Sequence, residues 1–288
     1  MEPIISTEKL GHIYSIGTPF EHAALCDVDF EAATGEYIGL IGHTGSGKST
    51  FVQHLNGLIK PTSGRVLFHG QDIHSSKELT HSIRFKVGIV FQYPEYQLFE
   101  DTVYEDIAFG PKNMKLSESE IDERVREAAG FVGITDALLE KSPFELSGGE
   151  KRRAAIAGVI AMRPEVLILD EPTAGLDPRG CARLLENIEK FHSAFNATII
   201  MVSHDMDGIA RAADRIVVFD KGRIRYDATP REIFSHSGEL SEMGLAVPQA
   251  TVIAARLRAR GVALPEDIYT VGQLEKALAG LKGGAAHA

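Results

Sequence analysis

The sequence predicts an α/β protein: a parallel sheet with an inserted helical subdomain and a small helical appendage near the C-terminal end. Three observations predict it. Tyr37-Ile38-Gly39-Leu40-Ile41 is an apolar run that enters a glycine-rich turn and then a helix from about Lys48 to Leu58, the opening of an α/β unit. Val87 to Phe91, Val166 to Leu169, Thr198 to Val202 and Ile216 to Phe219 are short, apolar and rich in β-branched residues. Runs that are apolar on both faces suggest a parallel sheet covered by helices on each side. Between about Pro94 and Ala161 the pattern turns helical, with Ser117 to Glu120 supplying an N-cap and capping-box signal ahead of Ile121 to Phe131.

After about Ile233 the chain becomes rich in Ala, Leu and Arg, with a helix expected from Gln249 to Arg260 and another opened by Thr270 with Gln273 three residues on. The expected division is a main domain over 1–234, holding the helical insertion at about 94–161, and an appendage over 235–288 that contacts another subunit. The run from Gly283 to Ala288 is expected to fray. No internal repeat interrupts this plan.

Composition sets limits on function. The chain has 288 residues, with 30 basic against 40 acidic side chains and a net charge of −10. That balance argues against a dedicated nucleic-acid surface, which needs clustered Lys and Arg to neutralise phosphates. Cys26 and Cys181 match no metal-ligand spacing and are expected as free thiols in a reducing compartment. The longest apolar stretches, such as Ala154 to Met162, fall short of the roughly 18 residues needed to span a bilayer. Met1 to Ile5 lacks a basic n-region and a long apolar core, so no signal peptide is expected and the protein is read as cytosolic. Attachment to a membrane would have to come through another chain.

The chemistry starts at Gly42-His43-Thr44-Gly45-Ser46-Gly47-Lys48-Ser49, followed by Thr50, a phosphate-binding loop placed after a strand and before a helix. Its glycines let backbone N–H groups turn toward phosphates, Lys48 can reach the β- and γ-phosphates, and the Ser49 hydroxyl can ligate Mg²⁺. Val166-Leu167-Ile168-Leu169-Asp170-Glu171 supplies the second half. A buried strand ending in Asp170 sets a carboxylate at the sheet edge, where it can hold magnesium, while Glu171 points the other way and could polarise a water. Leu146-Ser147-Gly148-Gly149-Glu150 adds another anion site: Ser147 is a good N-cap, and the two glycines leave N–H groups open at the start of a helix from about Glu150 to Met162.

With that last segment the chain resembles the ATP-binding cassette (ABC) family, whose signature is Leu-Ser-Gly-Gly-Gln; Glu150 stands where Gln is usual, a variant the family tolerates. The resemblance covers about residues 4–230 and implies a P-loop NTPase fold of ABC type. It implies that Gln92 contacts Mg²⁺ and the water, that His204 touches the γ-phosphate, that Asp177 lies in a loop crossing a dimer interface, and that Tyr14 stacks on adenine. It further implies a head-to-tail dimer of ATPase subunits, in which each ATP lies between the phosphate loop of one and the Ser147 to Glu150 segment of the other. Gly17 to Glu21, Phe91 to Phe99, Ile107 to Asn113 and Asp170 to Gly180 narrow the likeness to the second ATP-binding subunit of energy-coupling factor transporters.

That family implies ATP hydrolysis driving uptake of vitamins or transition-metal ions, on the cytoplasmic face of the membrane. Its partners are a second ATPase, a transmembrane T component docking near Gln92 to Asp106, and an S component that carries the substrate. Glu95, Glu100, Asp101, Glu105 and Asp106 among Tyr93, Tyr96, Leu98 and Phe99 are expected to form an acidic, aromatic groove for a basic helix end. Three rivals remain: a homodimeric ATPase of a cobalt or nickel importer, a non-transport cassette protein, and a regulatory nucleotide-binding module. The second usually shows coiled-coil insertions, zinc cysteines or fused cassettes, all lacking here, and the third requires loss of a residue such as Glu171 or His204.

Overall fold

The computed structural model describes residues 2–284. In chain order the strands and helices are β1 (Ile5–Tyr14), β2 (His22–Ala32), β3 (Tyr37–Gly42), α1 (Lys48–Leu55), β4 (Ser63–Phe68), β5 (Gln71–Asp72), α2 (Lys77–Lys86), β6 (Val87–Val90), α3 (Val103–Asn113), α4 (Glu118–Val132), α5 (Asp136–Leu139), α6 (Gly148–Ile160), β7 (Val166–Asp170), α7 (Pro178–Phe195), β8 (Thr198–Val202), α8 (Met206–Ala212), β9 (Arg215–Asp220), β10 (Arg223–Ala228), α9 (Pro230–Ser235), α10 (Ser237–Glu242), α11 (Gln249–Arg258) and α12 (Val271–Gly284). Every strand read from the sequence is present, to within a residue or two at its ends.

Two sheets form. The larger has six strands in the order β10-β9-β3-β8-β7-β6, parallel from β9 through β6, with β10 returning antiparallel at one edge. The smaller has four antiparallel strands in the order β2-β1-β4-β5. Helices reach both faces of the larger sheet, as the apolar strands had suggested, but on one face they share the cover with the smaller sheet. One face, through Tyr37, Ile41, Leu167, Leu169, Ile199 and Val218, packs on the helical layer. The other, through Ile38, Leu40, Ile168, Ile200 and Phe219, packs on α1 and the antiparallel sheet. A strand buried on both faces looks the same whether helix or sheet covers it.

The insertion is a helical group in which α3, α4 and α6 meet through Ile107, Ala108, Val125, Ala129, Ala154 and Ala157. Ser117 caps α4 through the anticipated box: its Oγ accepts the Glu120 N–H, and the Glu120 carboxylate accepts the Ser117 N–H. Near the other end of the chain, α11 and α12 share a small core of Ala250, Ala254, Leu264, Ile268 and Leu274. Leu240 and Leu245 belong instead to the main core. The main core thus takes in residues past 234, the partly buried Val247 and Tyr269 among them. Of the segment expected to fray, 285–288 lies outside the described residues.

Phe51 on α1 joins the two sheets: its buried ring sits 5.2 Å from Phe30 of β2 and 5.0 Å from Phe219 of β9, centroid to centroid. Phe51→Ala should cost about 3–5 kcal/mol in denaturant unfolding, the range for truncating a fully packed ring. A loss below about 1 kcal/mol would mean that the two layers are held together elsewhere.

Candidate functional site

The register of the large sheet brings the ends of four strands to one edge. Leu40 pairs with Val202, Val202 with Asp170, and Leu169 with Val90. The chain leaves β3 as the 42–47 turn, β6 toward Gln92, β7 at Asp170 and Glu171, and β8 toward His204. Tyr14, Thr44, Gly45, Gly47, Lys48, Ser49, Thr50, Gln92, Asp170, Glu171 and His204 line one cleft there, of about 440 Å³. Ligand sites in open α/β sheets occur beyond the carboxyl ends of the strands.

The turn is built for backbone donors. Gly47, the residue before α1, has φ of 107°, and a Cβ there would meet the Ala24 carbonyl at 2.7 Å, so only glycine fits. No side chain caps α1 and no acid occupies its first turn, which leaves its positive end facing the cleft. Lys48 is 7 % exposed and donates to the carbonyls of Gly42 (2.6 Å) and His43 (3.0 Å). Burial pushes its pKa down, against the pull of Glu171 and Asp170. Gly42, His43 and Ser46 shape the loop from behind: Ser46 is fully buried and accepts the Gly222 N–H at 2.9 Å, and His43 Nε2 lies 3.2 Å from Asp220 Oδ1.

Asp170 is 7 % exposed, and burial raises its pKa, although a hydrogen bond from Ser49 and the nearness of Lys48 and His204 oppose the rise. Glu171 is raised too, first by burial and partly by Asp170, with His204 and Lys48 opposing. Its backbone has φ of 51°, a left-handed conformation that L-residues adopt at some strain, and its N–H donates to Val202 O at 2.9 Å. Among the described residues Glu171 Oε1 finds no hydrogen-bond partner, and His204 Nε2 stands 3.3 Å away without hydrogen-bond geometry. The cleft therefore holds a buried carboxylate oxygen free to accept a proton.

Tyr14 ends β1 half-exposed, with its hydroxyl 3.2 Å from Thr50 Oγ1. Behind it His12 packs edge-on at 4.4 Å, and His12 Nδ1 lies 3.2 Å from Nε2 of His54, which burial pushes down to about 4 and thus keeps neutral. His22, paired with Tyr14 across the hairpin, also lines the cleft, as do Ala24, Ala174 and Val202. His22 and Ala24 escaped the sequence reading, while Ala174 and Val202 were read only as parts of the 170–180 segment and of a strand. No motif marks His22; only strand pairing sets it beside Tyr14.

Ser147, Gly148, Gly149, Glu150 and Asp177 do not join this cleft. Gly149 and Asp177 line a separate cavity of about 370 Å³ with Arg153, Arg179 and Arg183. Ser147 caps α6 by accepting the Glu150 N–H, and Asp177 caps α7 by accepting the Gly180 N–H at 2.6 Å. The acidic groove also needs correction. Glu95 is spent on buried Arg152, at 3.0 Å and 3.2 Å, and Asp106 accepts the N–H groups of Phe99 and Glu100. Glu105 pairs with Lys112, so of the five acids only Glu100 and Asp101 carry no assigned ion pair or carboxylate hydrogen bond among the described residues.

A phosphate loop after β3, two acids at the end of β7, with β8 between the two strands, and a second helix N-terminus on another face define a nucleotide-binding ATPase cassette. Residues 25–174 match the ABC transporter family model. The chain is 53 % identical over 272 residues to the energy-coupling factor transporter ATP-binding protein EcfA2 of Caldanaerobacter subterraneus, covering 94 % of this chain and 95 % of that one. It is 52 % identical over 275 residues to the EcfA2 of Clostridium tetani, covering 95 % and 96 %. Among solved structures it resembles cbiO1 from Clostridium perfringens, part of the ABC transporter complex cbiONQ, at a TM-score of 0.75 and 37 % identity over 91 % of this chain and 100 % of that one. It also resembles the dimeric post-hydrolysis ABC protein MJ0796 bound to ADP and phosphate, at 0.70 and 26 % over 79 % and 99 %. The chain belongs to the ABC transporter family, and within it to the ATP-binding proteins of energy-coupling factor transporters. It binds ATP and couples its hydrolysis to import.

Burial of Glu171 has a sign that stability measurements can read. A carboxyl whose folded pKa is raised contributes stability that is full below its unfolded pKa and is lost as pH rises through the folded one. Without nucleotide, Glu171→Gln should match the parent's melting temperature at the acid end of a pH series. It should melt above the parent at neutral pH. A variant less stable than the parent at neutral pH would contradict the assigned burial.

Proposed function

We propose that ATP lies in the 440 Å³ cleft with its adenine on Tyr14 and its phosphates along Gly42 to Thr50, and that Glu171 and His204 act on the attacking water. The observation that carries this reading is the free, buried Glu171 Oε1 beside Lys48 and Asp170. Lys48 neutralises phosphate charge, reinforced by the uncapped start of α1. A raised pKa makes Glu171 a better proton acceptor than an exposed carboxylate, and His204 at 3.3 Å is close enough to help orient it. Hydrolysis then rests on positioning and electrostatics rather than on a covalent step.

Ser49, Gln92 and Asp170 would hold Mg²⁺. A hydroxyl, an amide oxygen and a buried carboxylate are the hard oxygen donors this ion takes, and the Ser49–Asp170 hydrogen bond supports their convergence. When bound, the ion supplies positive charge to the phosphate oxygens.

The segment Ser147 to Glu150, with Asp177, serves the nucleotide of a second ATPase subunit, so each ATP is shared between two chains. The separate 370 Å³ cavity supports this, as does the dimeric relative. The partner is a different ATPase in a heterodimer, with a homodimer as the second form; counting distinct ATPase chains in the native complex decides between them. Residues 1–234 carry the cassette, 94–161 its signature subdomain, and 235–288 a subunit-contact appendage whose first residues pack on the main core and whose α11 and α12 share a core of their own.

No helix among the described residues is long and apolar enough to cross a membrane. We place the chain on the cytoplasmic face, against a transmembrane T component that holds the S component, with no nucleic-acid partner. A groove of about 330 Å³ lined by Leu98, Phe99, Phe109, Val159 and Met162, with Tyr96 85 % exposed beside it, supports docking there. The complex named for cbiO1 agrees.

Glu171→Gln should bind ATP, lose roughly 10²–10⁴-fold in hydrolysis, as for removal of a general base, and persist as a closed dimer with ATP on size exclusion. Turnover near the parent's would overturn the assignment. Phe99→Glu should abolish co-purification with membrane subunits while leaving binding of a fluorescent ATP analogue unchanged. Intact co-purification would move the docking face elsewhere.

A further inference from the structure

Arg152 is 4 % exposed, in the first half of α6, two residues beyond the Ser147–Glu150 capping box. A guanidinium never sheds its proton in a protein, so its burial is tolerated only where its N–H groups are satisfied. Arg152 spends them on two separate segments. Its Nε and Nη2 donate to the two carboxylate oxygens of Glu95, at 3.2 Å and 3.0 Å, in a fork-to-fork pair. Nη1 donates to the carbonyls of Pro172 (3.5 Å) and Ala174. On the Glu95 side, Tyr93 packs its ring 6.0 Å from the guanidinium carbon.

Those two carbonyls belong to the turn that carries Glu171. The Ala174 N–H donates to the Glu171 carbonyl at 3.2 Å, closing the turn on itself. Glu171 has a left-handed backbone; its N–H is tied to Val202 O, while its Oε1 has no hydrogen-bond partner among the described residues and meets His204 Nε2 only at 3.3 Å. Residues 172–174 add a further hold from outside. Glu95 lies in the single helical turn Pro94–Gln97, directly after Gln92 and beside the docking groove.

We infer that Arg152 and Glu95 are positioning residues for ATP hydrolysis: the pair ties the turn bearing Glu171 to the segment after Gln92 and to the start of α6. Neither side chain lines the 440 Å³ cleft that holds Glu171; Arg152 borders the separate 370 Å³ cavity, with its N–H groups already spent on Glu95, Pro172 and Ala174. The pair acts through the backbone of Pro172 to Ala174. It makes the docking segment, the second phosphate site and the catalytic turn move as one body, and it rests on the proposed role of Glu171 in orienting water.

The test compares Arg152→Lys, Glu95→Gln and their double variant in the native complex purified from membranes, with Glu171→Gln alongside. Arg152→Lys keeps the charge but loses the fork, and Glu95→Gln keeps the shape but loses the charge. Each single variant should lower kcat by roughly tenfold to a hundredfold at a near-parental KM for ATP, the signature of misplaced chemistry with intact binding. The double variant should be no worse than the poorer single one, because both break the same tie. Variants that melt earlier but hydrolyse ATP at the parental rate per folded complex would overturn the inference, as would losses that track a raised KM. Where Arg152→Lys does not fold, the milder Glu95→Gln decides alone by the same kcat and KM criteria. The Glu171→Gln arm separates the two failures. Parental turnover in that arm sinks the role of Glu171, whereas slow turnover there with parental rates in the pair variants sinks the tie only.

Discussion

Pairing of Leu40 with Val202, Val202 with Asp170 and Leu169 with Val90 is the constraint on which the rest depends. Parallel strands in that register must end together, so a lysine, two carboxylates, a glutamine and a histidine from distant parts of the chain leave the sheet at one place. Convergence has an electrostatic cost. Burial drives Lys48 down and Asp170 and Glu171 up; the lysine and the acids each favour the other's charge, while Asp170 adds to the rise at Glu171. The two sheets and the helical layer supply the burial, and with it the low-dielectric setting in which aimed charges act strongly on phosphates.

The local parts of this arrangement were legible in the sequence, and the non-local parts were not. A strand, a glycine turn and a helix are contiguous in the chain, and so are the capping boxes at Ser117 and Ser147. The antiparallel sheet is different. Register shifts interrupt the pairing of β1 with β2, and Lys9 and Asp27 carry positive φ, so its residues do not alternate cleanly. Without that sheet, helices were the only available cover for the second face of the parallel strands. Arg152 was hidden for a related reason. In a run of charges such as Glu150-Lys151-Arg152-Arg153 the default is a solvated face, and only the tertiary fold brings Glu95 over one member of it.

The charge of the docking segment changes with the structure. Five acids after Gln92 suggested an acidic groove, but Glu95, Glu105 and Asp106 are engaged within the chain. What the surface presents is aromatic: Tyr96, Phe99 and Phe109 are exposed, with Phe99 and Phe109 packed edge to face at 5.1 Å. In the docking proposed above, affinity comes from burying these rings against a partner, with Glu100 and Asp101 left at the rim to act on orientation. Glu95 is partly buried and spent on Arg152 rather than presented to a partner.

Glu150 raised the question of whether a carboxylate in place of the usual amide would repel a phosphate. Its side chain points back along the helix: the carboxylate accepts the Ser147 N–H at 2.8 Å and the Ser147 hydroxyl at 2.6 Å, and those bonds hold its pKa below the ordinary range. The charge is therefore anchored at the cap by two hydrogen bonds. Gly148 and Gly149, whose N–H groups begin the helix without intrahelical partners, have no side chain within 3.4 Å of where a Cβ would stand, so their backbone can be approached closely. A glutamine would make one of these two bonds no better and could not be ionised to strengthen either. Glu150 thus stabilises the helix start that a second subunit's nucleotide would meet, and the anion site depends on the two glycines rather than on the identity of the residue after them.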